Sequence, residues 1–216
     1  MQPPRVFGAV PPPTTPKGIE KLGPTVYRVG NVRIDTDKRE VSVSGVVNDV
    51  QILEFIANTK GGYKAYESVL ELDTNAIDFN VGLLLIGLER ERSVTPKFHF
   101  DPTPPQGDPV EITVSWEDRG RRRRVAAEEL VYNEMTKKTL PKGWVYTGST
   151  FIPDTTAFVA DLDGVLIGFV HSPAPLIEHA SGFIGNYGAQ KLNPNIGLKP
   201  GTTIELTVRA LKRPPK

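Results

Sequence analysis

At 216 residues and a formal net charge of +1, the chain is long enough for one large domain and carries no global field favouring nucleic acid or an anionic membrane. It contains no cysteine, which excludes disulfides, thiolate-held zinc, iron–sulfur clusters and cysteine nucleophiles together. A hydrophobic share of 38%, with 20 glycines and 20 prolines, indicates many turns and short elements.

Residues 1–24 hold seven prolines and read as an extended arm or tether, with Phe7 as its candidate anchor on a partner. From Thr25 the pattern changes to period two. Val26 to Ile34 and Glu40–Val47 alternate apolar and polar residues as half-buried strands do, with Gln51–Ala57 and Glu67–Leu72 as further strands. Asp73-Thr74-Asn75 then offers helix-capping side chains before the most apolar run of the chain. Ile77, Val81, Leu84, Leu85 and Leu88 recur at helical spacing while Phe79, Leu83 and Ile86 fill other faces, which predicts a buried helix ended near Gly87.

Residues 95–109 are a proline-broken crossover loop. Val110–Trp116 reads as a strand, followed by a basic turn at Arg119–Arg124 and a segment to Tyr132 with a helical turn or two. Trp144–Phe151, Ala157–Ala160 and Val165–Val170 read as strands, the last two joined by a hairpin turn at Asp161–Gly164. Residues 172–200 are mostly loop, and Thr203–Leu211 is a terminal strand before a basic tail at 212–216. The expected fold is α+β, an antiparallel β-rich single domain over 25–211 packed around one buried helix.

The longest apolar run, Val81–Leu88, has eight residues, where a membrane-spanning helix needs about 20. The N-terminal stretch lacks the apolar core of a secretory signal, so the expectation is a cytoplasmic protein or a mature chain with its signal removed.

Several segments together resemble the YdjY-like domain family of bacteria. They are Lys64–Ser68, the LLLIGL run, the VSWED strand, Trp144–Ser149 and Ala160–Phe169 with the proline loop after it. The resemblance covers roughly residues 25–211. It implies an exported or envelope-associated protein and brings no reaction with it. One departure is plain: the family's histidine before the Glu-Ser pair is Tyr66 here, which removes any base or ligand the family holds at that place.

Glu67 and Ser68, beside a glycine turn, could support acid–base work, with Asp161 and His171 as partners from elsewhere in the chain. The competing reading is that they pin the turn through backbone hydrogen bonds. Asp161–Gly164 lacks the downstream carboxylate of a calcium loop. His171, His179 and Glu178 do not reach the ligand count of a cysteine-free zinc site, so no metal is expected. No glycine-rich phosphate loop or nucleophile elbow is present, and no cofactor is expected. The sequence therefore predicts a non-catalytic, envelope-associated binding or assembly domain that engages protein partners, including a membrane-associated complex, and no nucleic acid. The residues expected to bind are Phe7, Arg121, Arg122, Arg123, Phe183 and Tyr187. The alternative is a hydrolase or lyase built on Glu67, Ser68, Asp161 and His171.

Overall fold

A computed structural model describes residues 17–181 and 188–212. The alternating segments of the first third become β2 (Val26–Val29), β3 (Val32–Asp35) and β4 (Glu40–Val47), preceded by β1 (Ile19–Lys21). That first strand lies in the proline-rich arm, which sequence alone gave no strand. Next come β5 (Phe55–Thr59), a 3-10 turn at Tyr63–Glu67, β6 (Ser68–Leu72) and α1 (Ala76–Leu85). The middle of the chain forms β7 (Asp108–Asp118), β8 (Arg121–Ala126), a 3-10 turn at Ala127–Leu130, β9 (Val131–Asn133), β10 (Lys138–Thr139) and β11 (Trp144–Tyr146). Last are α2 (Val159–Asp163), β12 (Val165–Gly168), β13 (Ile177–His179), β14 (Gln190–Leu192) and β15 (Thr203–Ala210).

Eight of these strands close on themselves in the order β4–β15–β7–β11–β13–β12–β5–β6, with β6 returning to β4. The long strands make closure possible by dividing one edge between two partners. Arg33–Asp35 pair with the first half of β4, whereas Leu70–Leu72 take Gly45–Val47. In β7, residues 108–110 pair with β11 and residues 113–118 with β8. A separate sheet, β10–β9–β14, lies off the ring.

This overturns the expectation of an α+β domain built around one helix. The chain is mostly β, a closed eight-stranded barrel, and α1 is the one helix of seven or more residues among those described. Nor is the ring wholly antiparallel, since β5 pairs β6 and β12 pairs β13 in parallel.

The barrel wall explains the alternation. On β4, β7 and β15 the residues Val41, Val43, Ile112, Val114, Leu206 and Val208 are buried, while Ser44, Glu111, Glu205 and Arg209 face water. Helix α1 buries Ala76, Phe79, Gly82, Leu83 and Ile86 and leaves Leu84 and Leu85 exposed at 45% and 37%, so it covers the core on one stripe instead of sitting inside it. Its contacts reach β2 and β3, which extend from β4 outside the ring, and β12 on the ring itself. Gly82 permits this approach, because a Cβ there would lie 3.1 Å from Val32 Cγ1. The expected cap is present: Asn75 Oδ1 accepts from the Asp78 amide at 2.7 Å, and Tyr146 at the end of β11 donates its hydroxyl to Asn80 at 2.7 Å.

The expected hairpin at Asp161–Gly164 is instead helix α2, ended by Gly164 in the left-handed region at φ 66°. The expected strand at Ala157–Ala160 gives way to its first turn, and the strand expected through Phe151 ends at Tyr146.

Candidate functional site

Two regions concentrate chemistry. The first is a buried polar seam where the start of β5 meets the crossovers that lead into β6 and β13. The amide of Glu54 donates to the Glu67 carbonyl at 2.9 Å, and the amides of Phe169 and Val170 donate to the Glu54 carbonyl at 3.3 and 3.2 Å. Residue 54 therefore ties both crossovers together. Its buried side chain lies 3.4 Å from Nε2 of His99, from the loop that precedes β7. Lys64 and Glu67 form an ion pair in the first crossover, with the Lys64 ammonium 5.8 Å from the centre of the Phe55 ring. Burial pulls the Lys64 amine down, but the Glu67 carboxylate and the Tyr66 hydroxyl outweigh it and hold it above the usual lysine value.

The second crossover carries His171, whose ring is enclosed by backbone. Nδ1 lies 2.9 Å from the Asp101 carbonyl oxygen and Nε2 lies 3.2 Å from that of His179. The Asp101 carboxylate accepts from the amides of Lys97 and Thr103, which hold it below the usual aspartate range and fix the loop that meets His171. Glu178 on β13 is fully buried. Its Oε1 accepts from the Ser172 amide at 3.2 Å and its Oε2 has no hydrogen-bond partner. Burial pushes this carboxyl well above the usual range, against the smaller pull of the Ser172 amide. Its neighbour His179 donates from Nε2 to the Pro141 carbonyl at 2.8 Å and stacks edge-on to Trp144, whose indole N–H donates to Glu128 at 3.0 Å. Burial holds His179 below the ordinary histidine value, with the Pro141 carbonyl and the Glu128 carboxylate opposing it.

The second region is the β7–β8 hairpin. Asp118 pairs with Arg121, so Arg119 and Gly120 form a two-residue turn, both with positive φ (50° and 74°). Arg121 to Arg124, expected as part of a turn, lie on strand β8 and are exposed. Arg122 donates to Ser115 at 2.9 Å and to Glu205 at 2.6 Å, and Arg124 donates to Thr113 at 3.0 Å. Arg121 and Arg123, with Asp118 and Arg119, line an open cleft of about 370 Å³.

The four residues of the enzyme alternative spend their bonds in different places. Glu67 faces Lys64, and the Ser68 hydroxyl donates to the Lys64 carbonyl at 2.9 Å. Asp161 accepts from the Ala76 amide at the start of α1, and His171 meets the Asp101 and His179 carbonyls. The backbone of Glu54 links the segments that carry Glu67 and His171, whereas the Asp161 contact belongs to the helix terminus. Phe7, Phe183 and Tyr187 lie outside the described residues. Glu54, Lys64 and Glu128 were not singled out from sequence; a carboxylate next to an apolar strand residue was the available sign at Glu54 and Glu178. Among the described residues no group of three His, Asp or Glu side chains is placed to hold a metal ion, and no helix is long and apolar enough to cross a membrane.

Fold and site together define a closed, mixed β-barrel domain with a largely buried polar seam and an exposed arginine hairpin. The YdjY domain matches residues 32–209, and the chain belongs to that family. No match is found among curated proteins or among solved structures.

Proposed function

We propose that this chain is a non-catalytic binding or assembly domain that works through a protein partner. The observation that supports this reading is the distribution of polar chemistry. Glu54, Glu67, His171, Glu178 and His179 are buried and turned toward the fold, so they are poorly placed to receive a substrate. Free charge stands instead on an exposed hairpin with an open cleft beside it. An envelope location and a docking role for the arm around Phe7 belong to the same proposal and rest on the family resemblance and on arm composition.

Photo-crosslinking in native cells tests the reading. A benzophenone residue is placed singly at positions 7, 121, 183 and 187 of the full chain. One dominant protein adduct from at least one position is expected. Absence of any adduct from all four, with the chain monomeric in extract, overturns the proposal.

A further inference from the structure

The β8 strand has a free edge. One side is hydrogen-bonded to β7 from Thr113 to Asp118, and among the described residues no strand pairs with the other. Such an edge presents a row of backbone donors and acceptors ready for a further strand. The side chains along it divide by face. Arg122 and Arg124 stand beside Glu117 and Ser115 in the pairing register and are held by Ser115, Glu205 and Thr113. Arg121 and Arg123 stand on the opposite face, beside Asp118 and Trp116, and no hydrogen bond or ion pair engages their guanidinium groups among the described residues.

Arg119 joins them at the tip. A non-glycine residue at φ 50° is disfavoured, and the hairpin turn of this type favours Asn, Asp or Gly. Keeping an arginine there sets a third guanidinium at the rim of the same cleft. The cleft then holds three guanidinium groups and one carboxylate, Asp118.

Resting on the binding-domain reading, we infer that the β8 edge takes an extended acidic segment of a protein partner. The segment adds a strand to the sheet and places alternate carboxylates against Arg121 and Arg123, with Arg119 in the turn adding positive charge at the end of the cleft. The repeat matches: side chains on one face of a strand recur at about 6.6 Å, and a paired strand presents its own at the same interval. Guanidinium groups bind carboxylates through paired N–H donors. The same charges repel a second copy of β8, so the edge selects for an acidic occupant. A nucleic acid fits less well. Trp116, the aromatic residue on that face, is only 5% exposed and offers no stacking surface, and the chain's net charge of +1 supplies no field for a polyanion.

The experiment uses the full chain and a fluorescein-labelled nonapeptide of alternating Glu and Val, followed by anisotropy at low and physiological salt. Comparison probes are a Lys-Val peptide, a peptide of the same Glu and Val content in two blocks, the alternating peptide N-methylated at its edge-facing amides, and a single-stranded oligonucleotide. Binding of the alternating acidic peptide is expected, weakened at least tenfold by R121E/R123E and by N-methylation, and changed less than twofold by Arg209→Gln on the far side of the wall. Circular dichroism melts confirm that each variant folds. Equal binding of the block peptide, insensitivity to N-methylation, or tighter binding of the oligonucleotide overturns the inference. A chain that crosslinks a partner through other positions yet ignores the peptide refutes this inference and leaves the binding-domain reading standing.

Discussion

Closure of the barrel depends on three residues of β4, Gly45–Val47, meeting Leu70–Leu72 of β6, and Gly45→Ala puts that closure under load. Gly45 has an ordinary extended backbone, so alanine is not strained by its dihedrals. The space is the obstacle. A Cβ at position 45 would stand 2.3 Å from the Glu71 carbonyl oxygen and 2.9 Å from Leu72 Cδ2, the first about 1 Å inside ordinary contact. The carbonyl belongs to the backbone of the paired strand and cannot rotate away, so the strands must part. Overpacking of this kind costs about 1–3 kcal/mol and loss of a ladder hydrogen bond about 1 kcal/mol more, giving about 2–4 kcal/mol. For a chain of 216 residues that is a fall in Tm of roughly 4–16 °C. Urea denaturation followed by circular dichroism measures it, with hydrogen exchange at the amides of Leu70 and Leu72 reporting where the damage lies. Gly23→Ala is the control, since its nearest neighbour is Val26 Cβ at 3.8 Å, and a change within about 0.5 kcal/mol is expected. A Gly45→Ala chain as stable as the control, with unchanged exchange at β6, refutes the pairing and with it the closed ring.

Two further perturbations address the buried charges. Lys64→Met leaves the Glu67 carboxylate, 5% exposed, without its cation, and a loss of about 2–4 kcal/mol in urea denaturation is expected, largely recovered in the Lys64→Met, Glu67→Leu double variant. Equal stability of single and double variants would refute the pairing. Glu178 supplies a pH test: its carboxyl is raised in the folded state, so the fold binds that proton more tightly than the unfolded chain does. The associated stability is fully present below the unfolded value near 4.5 and is lost as pH rises toward the folded value. Glu178→Gln is accordingly expected to gain stability over the parent chain at pH 8 and to show little gain at pH 4, measured as the difference in denaturation midpoints. A gain independent of pH would rule out the carboxyl as its source.

What the sequence made legible was local. The alternation in Glu40–Val47 and in Thr203–Ala210, the Asn75 cap and the Gly87 stop each have a short-range cause, and each is found within a residue or two of its expected place. The helix was misjudged because apolar residues on several faces do not reveal that Leu84 and Leu85 end up in solvent. Family membership was legible in the order of its segments. Ring closure was not, because the β4–β6 contact joins strands that a hydrophobic pattern would place equally well in an open sheet.

The parallel pairs explain why the polar seam escaped sequence reasoning as well. Eight residues separate Thr59 from Ser68, and eight separate Gly168 from Ile177. Connections this short normally join antiparallel neighbours, whereas parallel ones take about a dozen or more residues. Here each short link must carry the chain back so that the next strand starts in the same direction, with backbone groups that need partners under the surface. Glu54 supplies an amide to one link and a carbonyl to the other, and Glu178 supplies a carboxylate to the Ser172 amide. His171 is fixed in turn by two backbone carbonyls. The Glu178 carboxylate and the His171 ring thus answer part of a demand set by the topology, while Glu54 answers it with its backbone alone. With Oε1 of Glu178 and both ring nitrogens of His171 turned to backbone and Glu67 turned to Lys64, these groups face the interior of the fold, whereas Arg121 and Arg123 stand exposed on the hairpin outside.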